Sequence, residues 1–493
     1  VTIGLHFFSH CYLGAVTTVT MNKERHVSFT KISVVRQLLC ILPLLVTACG
    51  GGGESPPPTP ANPSIDQFTS DKNSYFVGDR AQLTAVYSSG TARIQPGDIA
   101  IASGQMITTP TLTTNTTYRL EVVGNGNTAT RELALTVSYR DRMRAIAVPF
   151  ARTQHMAIRL NDGRVLVVGG LDESKMVARQ IYVFDPSSEA FTAFGAILTS
   201  GPFGSVAVTL ADGNVLLVGG IPASAFSNAV LINAQTGAVT PTSSQPHSRR
   251  AWGTGTRLGD GKVLFVGGLL ATGNDGNAIQ ISTTADPTAE IYDSATGAFT
   301  TLPAALSVGR YKHTAVTAND GRVLVYGGNT ENGQAAPPEL YDPATGTFSV
   351  LVAPEGDVRE NHSAVKASDG GIWIIGGDDG TPLSALTSVI RFDSASTTFS
   401  HALDLATPRT LLGAAALADS RVLVAGGASD LVPNRIEQSS ELIDTTTKLR
   451  IAGPQMSAAR YSFTMTPLSN GKVLILGGLD QDGTPMASAE IYE

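Results

Sequence analysis

At 493 residues the chain is too long for one ordinary domain and has the length for two or three folded units. Charged side chains make up only 15% of it, Gly reaches 51 residues, and no long segment keeps a 3.6-residue apolar period, so helical bundles are disfavoured against many short strands joined by tight turns. The net charge is -7, and beyond residue 48 the chain holds 30 basic against 40 acidic side chains. Such an acidic body argues against a nucleic-acid partner and against lying flat on anionic lipid. The three cysteines are Cys11, Cys40 and Cys49; the 444 residues after Cys49 have none, which excludes an internal disulfide, a cysteine metal site and a thiol nucleophile there.

Residues 1–48 read as an export signal. Leu38–Val46 (LLCILPLLV) is an apolar run too short to span a bilayer comfortably, with basic residues before it and small ones after. Met21 begins a signal of normal length, whereas residues 1–20 fit one poorly, so Val1 is expected to reflect either an over-long start, with the true one at Met21, or an alternative initiation codon. The run ends in Val46-Thr47-Ala48-Cys49, which resembles the lipobox of bacterial lipoproteins. That resemblance implies a lipidated Cys49 that anchors the protein to a membrane, and Gly50 in place of Asp implies the outer membrane. Residues 49–63 continue as a Gly/Pro-rich linker that suits a solvated spacer, able to reach roughly 45 Å when extended.

Residues 64–140 show short alternating strands, among them Ala81–Tyr87, Thr117–Val123 and Glu132–Ser138, with turn signals between them. The stretch resembles bacterial immunoglobulin-like domains, notably at Thr116-Thr117-Tyr118-Arg119-Leu120, although it lacks the Cys…Trp…Cys hallmark. Such modules act as spacers.

Residues 142–493 repeat. A Gly-Gly pair follows a four-residue apolar strand seven times, beginning at Gly169, Gly219, Gly267, Gly327, Gly376, Gly426 and Gly477. Seven residues before each pair stands Asp162, Asp212, Asp260, Asp320, Asp369, Asp419 or Asn470, followed by Gly except at Ser420. Asp-Gly between apolar strands predicts two-residue hairpins. A third strand such as Glu290–Asp293 and a short aromatic fourth complete each repeat. Four strands with a Gly-Gly after the second resemble the kelch motif, and seven copies imply an all-β, seven-bladed kelch-type β-propeller behind a small Ig-like β-sandwich. The seventh repeat stops after its third strand, so residues 143–149 are expected to complete it. The Gly pair is expected where neighbouring strands approach too closely for a side chain.

The loops between second and third strands vary most, and blade three carries an insertion, Leu269–Ala289, so function is expected on that face. Seventeen residues before the Gly pairs stand Arg152, Arg250, Arg310, Arg359, Arg409 and Arg460, with Pro202 in blade two. The ring of guanidinium groups suits either a bound carboxylate or sulfate, or ties between blades; its regularity favours the ties. Blades three to five break the regularity. Arg250, Trp252, Arg310, Tyr311, His313, Arg359 and His362 are the candidate ligand-binding residues, with Trp252 and Tyr311 suited to stacking on a sugar ring. His313 and Glu360 are the candidate catalytic pair if they converge. His155, His313 and His362 occupy equivalent positions without supporting carboxylates, so no metal site and no cofactor are expected.

Kelch propellers include a copper-radical galactose oxidase, whose cross-linked cysteine has no counterpart here, and a sialic-acid mutarotase that needs only acid–base residues. Three readings stay open: a membrane-tethered recognition protein holding a protein or glycan, a carbohydrate-active isomerase, and a structural spacer. Convergence of His313, Glu360 and the arginines in one pocket would favour the enzyme, and a flat face with exposed aromatics would favour binding.

Overall fold

A computed structural model describes residues 61–493 apart from 196, 199–202, 222–228, 275–278, 333–335, 355–356, 358, 382–383 and 431–434. The signal segment, Cys49 and most of the linker lie outside the described residues. Pro60–Glu493 form one compact unit. It is all-β, and no helix among the described residues is long and apolar enough to cross a membrane.

The first part is a two-sheet sandwich. Ser64–Ser70, Gln82–Ser88 and Met106–Thr108 form one sheet; Ser74–Phe76, Thr91–Gln95, Ile99–Ile101, Thr116–Gly124 and Asn127–Ser138 form the other. Alternation explains it: Leu83 and Ala85 of one sheet, and Tyr118, Leu120 and Val122 of the other, point into a common core.

Seven four-stranded antiparallel sheets follow, each with its strands in chain order except the last. Blade one runs Met156–Arg159, Val165–Val168, Tyr182–Asp185 and Ala190–Ala193. The second strands do not alternate: Val165–Val168, Val215–Val218, Val263–Val266, Val323–Tyr326, Ile372–Ile375 and Val473–Leu476 are buried at every residue, because a neighbouring blade covers each face. Val208, Leu216 and Val218 of blade two pack with Val263, Phe265 and Tyr292 of blade three, and the other interfaces repeat the pattern. The first strands neighbour one another in a closed ring, Met156–Arg159 touching Thr464–Pro467 of blade seven. Met143–Ile146 supplies the missing outer strand of blade seven, pairing Met143 with Tyr492 and Ile146 with Ala489.

The Asp-Gly hairpins differ from expectation by one residue. Gly163 N donates to Leu160 O and Leu160 N to Arg164 O, so three residues lie inside the turn, with Gly163 alone at positive φ. This is a type I turn followed by a left-handed residue, the commoner three-residue solution. The preceding acid has a separate task. Its Oδ1, or that of Asn470 in blade seven, accepts the amide two residues on in all seven blades, at 3.0 to 3.3 Å.

The Gly pairs join the blades. Gly268 N donates to the carbonyl of Arg310 in the next blade at 2.8 Å, and a Cβ on Gly267 would meet that same oxygen at 2.5 Å. Gly220, Gly328, Gly377, Gly427 and Gly478 make the same bond to Arg250, Arg359, Arg409, Arg460 and Arg152. Both glycines of each pair also sit at positive φ, which excludes a side chain twice over.

The sandwich docks on blades six and seven. Leu417, Leu423, Leu442, Val473 and Tyr492 belong to the same apolar cluster as the sandwich core. Tyr139 stacks on Tyr492 at 5.4 Å and donates its hydroxyl proton to Gly471 O at 2.7 Å, while Asp141 pairs with Arg421 at 2.8 Å.

Candidate functional site

Each first strand is preceded by a residue that stands fifteen positions before its Gly pair. These are Gln154, Gly204, Trp252, Lys312, Asn361, Leu411 and Ser462, and all seven have φ between +48° and +69°. The geometry has a local cause. The residue before each one forms a bridge to the residue just after the Gly pair, as Tyr311 does with Asn329 and Glu360 with Asp378. The chain must then turn sharply into the first strand, and a left-handed residue makes that turn. Backbone bonds run between these residues around the axis: Lys312 N to Trp252 O at 3.1 Å, Trp252 N to Gly204 O at 2.7 Å, Ser462 N to Leu411 O at 3.1 Å and Leu411 N to Asn361 O at 3.0 Å. The seven side-chain positions thus form the mouth of the central channel.

A cavity of about 840 Å³ opens there, lined by all seven and by residues of the loops after the Gly pairs, among them Asp378, Gly380, Thr381 and Leu479. It lies on the face expected from the variable loops. Its walls are unequal. Blades four and five supply a polar arc of Lys312, Glu360, Asn361 and Asp378, with Trp252 on one side of it and Leu411 on the other. Lys312 Nζ is 3.4 Å from Glu360 Oε1, and Glu360 Oε2 is buried without a hydrogen-bond partner. Asp378 is tied down from three directions: Asn361 Nδ2 donates to it at 2.9 Å, Gly380 N at 3.1 Å, and the Thr410 hydroxyl also. Trp252 packs edge-on to Phe203 at 5.5 Å, and Gly204 leaves room for it, since a Cβ there would meet the indole at 3.1 Å.

Of the residues singled out in the sequence, His155, Trp252, His313 and Glu360 line this cavity, whereas Tyr311, His362, Arg250, Arg310 and Arg359 do not. The arginines lie inside their blades. Arg310, wholly buried, donates to Gly327 O at 3.3 Å, Pro337 O at 2.7 Å and Glu339 Oε1 at 2.5 Å. Arg250 and Arg460 repeat the arrangement with Glu290 and Glu490; Arg409 does so with Glu441, and Arg359 with Asp357. Their side chains bind the blade and their carbonyls bind the neighbour, which explains the regular recurrence. Burial brings Arg310 down to about 10 against the opposing pull of Glu339.

The histidines are also buried, although His155 and His313 border the cavity. His313 Nε2 bonds Thr254 Oγ1 at 2.9 Å across the blade boundary, and Nδ1 is buried without a partner. His155 and His362 bond Thr464 and Thr314 in the same way. Burial, then Arg310 and Arg250, hold His313 at about 3, so it is neutral and is no general acid at neutral pH. Lys312, Asn361, Asp378 and Gln154 escaped the sequence reading.

No family model matches the sequence, and neither does any curated protein. Among solved structures the chain is similar to a novel fungal alcohol oxidase of the AA5 family, in complex with copper: 15% identity, TM-score 0.57, covering 71% of this chain and 75% of that one. It is also similar to YjhT at 15% identity and TM-score 0.45, covering 59% of this chain and 93% of that one. The likeness to the oxidase is one of fold, and this chain shares the architecture of a kelch-type propeller.

Proposed function

We propose that the protein is a membrane-tethered binding protein, anchored through Cys49, whose channel-mouth cavity holds one unit of a glycan. The observation that carries this reading is the pairing of aromatic side chains, Trp252 beside the polar arc and Tyr461 and Phe463 elsewhere on the wall, with Lys312, Glu360, Asn361 and Asp378 in one concave site. Sugars present an apolar face of C–H groups and an edge of hydroxyls, so a ring that stacks beside donors and acceptors of both kinds suits them. The cavity volume of about 840 Å³ suits a mono- or disaccharide better than a folded protein surface. Among the described residues no three of His, Cys, Asp and Glu come together to hold a metal.

A thermal-shift screen of neutral, N-acetylated, uronic and sialic sugars tests the proposal. A saturable rise in Tm with at least one sugar, lost in Trp252→Ala and weakened in Asn361→Ala, supports it; no response to any sugar contradicts it and leaves a protein ligand or the spacer reading. A sugar isomerase in the same cavity is the second reading, favoured by the unpartnered Glu360 Oε2 beside Lys312. There the Glu360 carboxylate would take the proton of the anomeric hydroxyl and return it to the ring oxygen as the bond from that oxygen to the anomeric carbon breaks, the reverse steps closing the ring on its other face; acceleration of anomer exchange followed by NMR, abolished in Glu360→Gln, distinguishes it from binding alone.

A further inference from the structure

Six of the seven blades balance their buried charges. The strand register identifies one position, opposite the residue two before each Gly pair, that holds Glu290, Glu339, Glu441 and Glu490 in blades three, four, six and seven. Each of these carboxylates meets its own blade's arginine. Blade five has Ile390 at that position, and Asp357 replaces the carboxylate. Blade two has Val230 there, and Pro202 stands where the arginine would be, so neither charge exists. Blade one keeps Arg152 but has Tyr182 at the carboxylate position.

Arg152 is 3% exposed; its Nη2 donates to Gln180 O at 2.7 Å, and its Nε is buried and unpartnered. Among the described residues no carboxylate forms an ion pair with it; Asp172 acts on it only through space, its Oδ1 accepting Ser174 N and Met176 N at 3.0 Å. The Phe150 and Tyr182 rings, stacked at 4.0 Å, lie 5.4 and 5.8 Å from the guanidinium carbon and offset part of its lost hydration. Beside this group opens a second cavity of about 490 Å³, lined by Phe150, Arg152, Arg179, Tyr182 and Ile197, with Asp172 and Glu173 at the same site.

A buried cation without a counterion is costly, and one with fork-shaped donors on a cavity is matched by a carboxylate. We propose that blade one is a second ligand site, in which Arg152 receives the carboxylate of a small organic acid where four other blades place their own glutamate. The aromatic pair fits an acid with an apolar body, and Asp172 and Glu173 disfavour one with a second negative charge.

The probe is sodium benzoate against sodium chloride at equal ionic strength, read as the Tm of the whole protein. The expected result is a saturable rise of about 2 °C at roughly tenfold excess over the dissociation constant. The rise is lost in Arg152→Met and in Tyr182→Glu, which installs the carboxylate of the other blades, and is retained in Trp252→Phe, which alters only the channel mouth. No rise in the wild-type protein, or a rise that survives Tyr182→Glu, overturns the proposal, as does one lost with Trp252.

Discussion

Lys312 Nζ stands 3.4 Å from Glu360 Oε1, so an amine of blade four and a carboxylate of blade five close one arc of the channel mouth. The Lys312 side chain is 37% exposed, and a pair so wetted contributes little to folding. Lys312→Ala therefore shifts Tm by only about 1–2 °C. Its effect falls on the ligand: Lys312→Ala and Asn361→Ala each weaken sugar binding by about tenfold, the worth of one hydrogen bond to a charged or buried group. Titration calorimetry beside thermal unfolding separates the two effects.

The three interblade histidines make the propeller sensitive to acid. His155 and His313 are held at about 3, and His362 well below its ordinary value, chiefly by burial. Between about pH 3 and 6.5 the unfolded chain takes up these protons and the folded one does not. Stability is therefore unaffected by them above about pH 6.5 and is lost as pH falls below it. Blade six has Leu412 at the equivalent position, so the fold accepts an apolar side chain there. The triple variant His155→Leu, His313→Leu, His362→Leu flattens this acid-side slope by up to about 1.4 kcal/mol per pH unit for each histidine, measured by urea unfolding at a series of pH values.

Ser420 occupies, at φ +68°, the turn position that glycine holds in the other six blades. A left-handed serine costs on the order of 1 kcal/mol. Ser420→Gly raises stability by roughly that amount in spite of the freedom it adds to the unfolded chain, and Gly163→Ala lowers it; denaturant midpoints at constant slope are the readout.

Arg310 and Glu339 are both buried, and removing one strands the other. Glu339→Gln destabilises by about 3–5 kcal/mol, whereas the double change Arg310→Met, Glu339→Leu costs less than the single one. A double-mutant cycle on unfolding free energy measures the difference.

The ring of seven blades and the strand that closes it were legible in the sequence because the Gly pairs and the acids before them recur at fixed spacing. The Gly pairs recur for a steric reason: a Cβ on the first glycine strikes the neighbouring blade, and one on the second strikes the chain leading into its own blade's first strand. The arginines recur as visibly, but spacing does not say whether a guanidinium turns toward the axis or into its own blade; the third-strand glutamates were the signal, since they accompany the arginines in blades three, four, six and seven and both are missing in blade two. The channel mouth was harder to read. Gln154, Gly204, Trp252, Lys312, Asn361, Leu411 and Ser462 share a backbone conformation and no chemical type, so only counting fifteen residues back from each Gly pair exposes them as one ring. Trp252 and Glu360 were found because they sit beside the arginines, and Asp378 was missed because it follows a Gly pair in a variable loop. The two-residue hairpin expectation failed by one residue because Asp-Gly serves both turn types, and the side-chain bond from the acid favours the longer one.

Two tryptophans give the central claim a direct reporter. Trp373 is fully buried in blade five, bonded to Asp369 at 3.2 Å, while Trp252 lines the channel-mouth cavity. The measurement is the intrinsic fluorescence of the protein titrated with the sugars of the thermal-shift screen. The account predicts a saturable change in emission with the sugar that raises Tm, absent in Trp252→Phe and intact in Trp373→Phe. A sugar that raises Tm with no change in Trp252 emission, or a complete set of sugars that changes neither, contradicts a glycan site at the mouth of this channel.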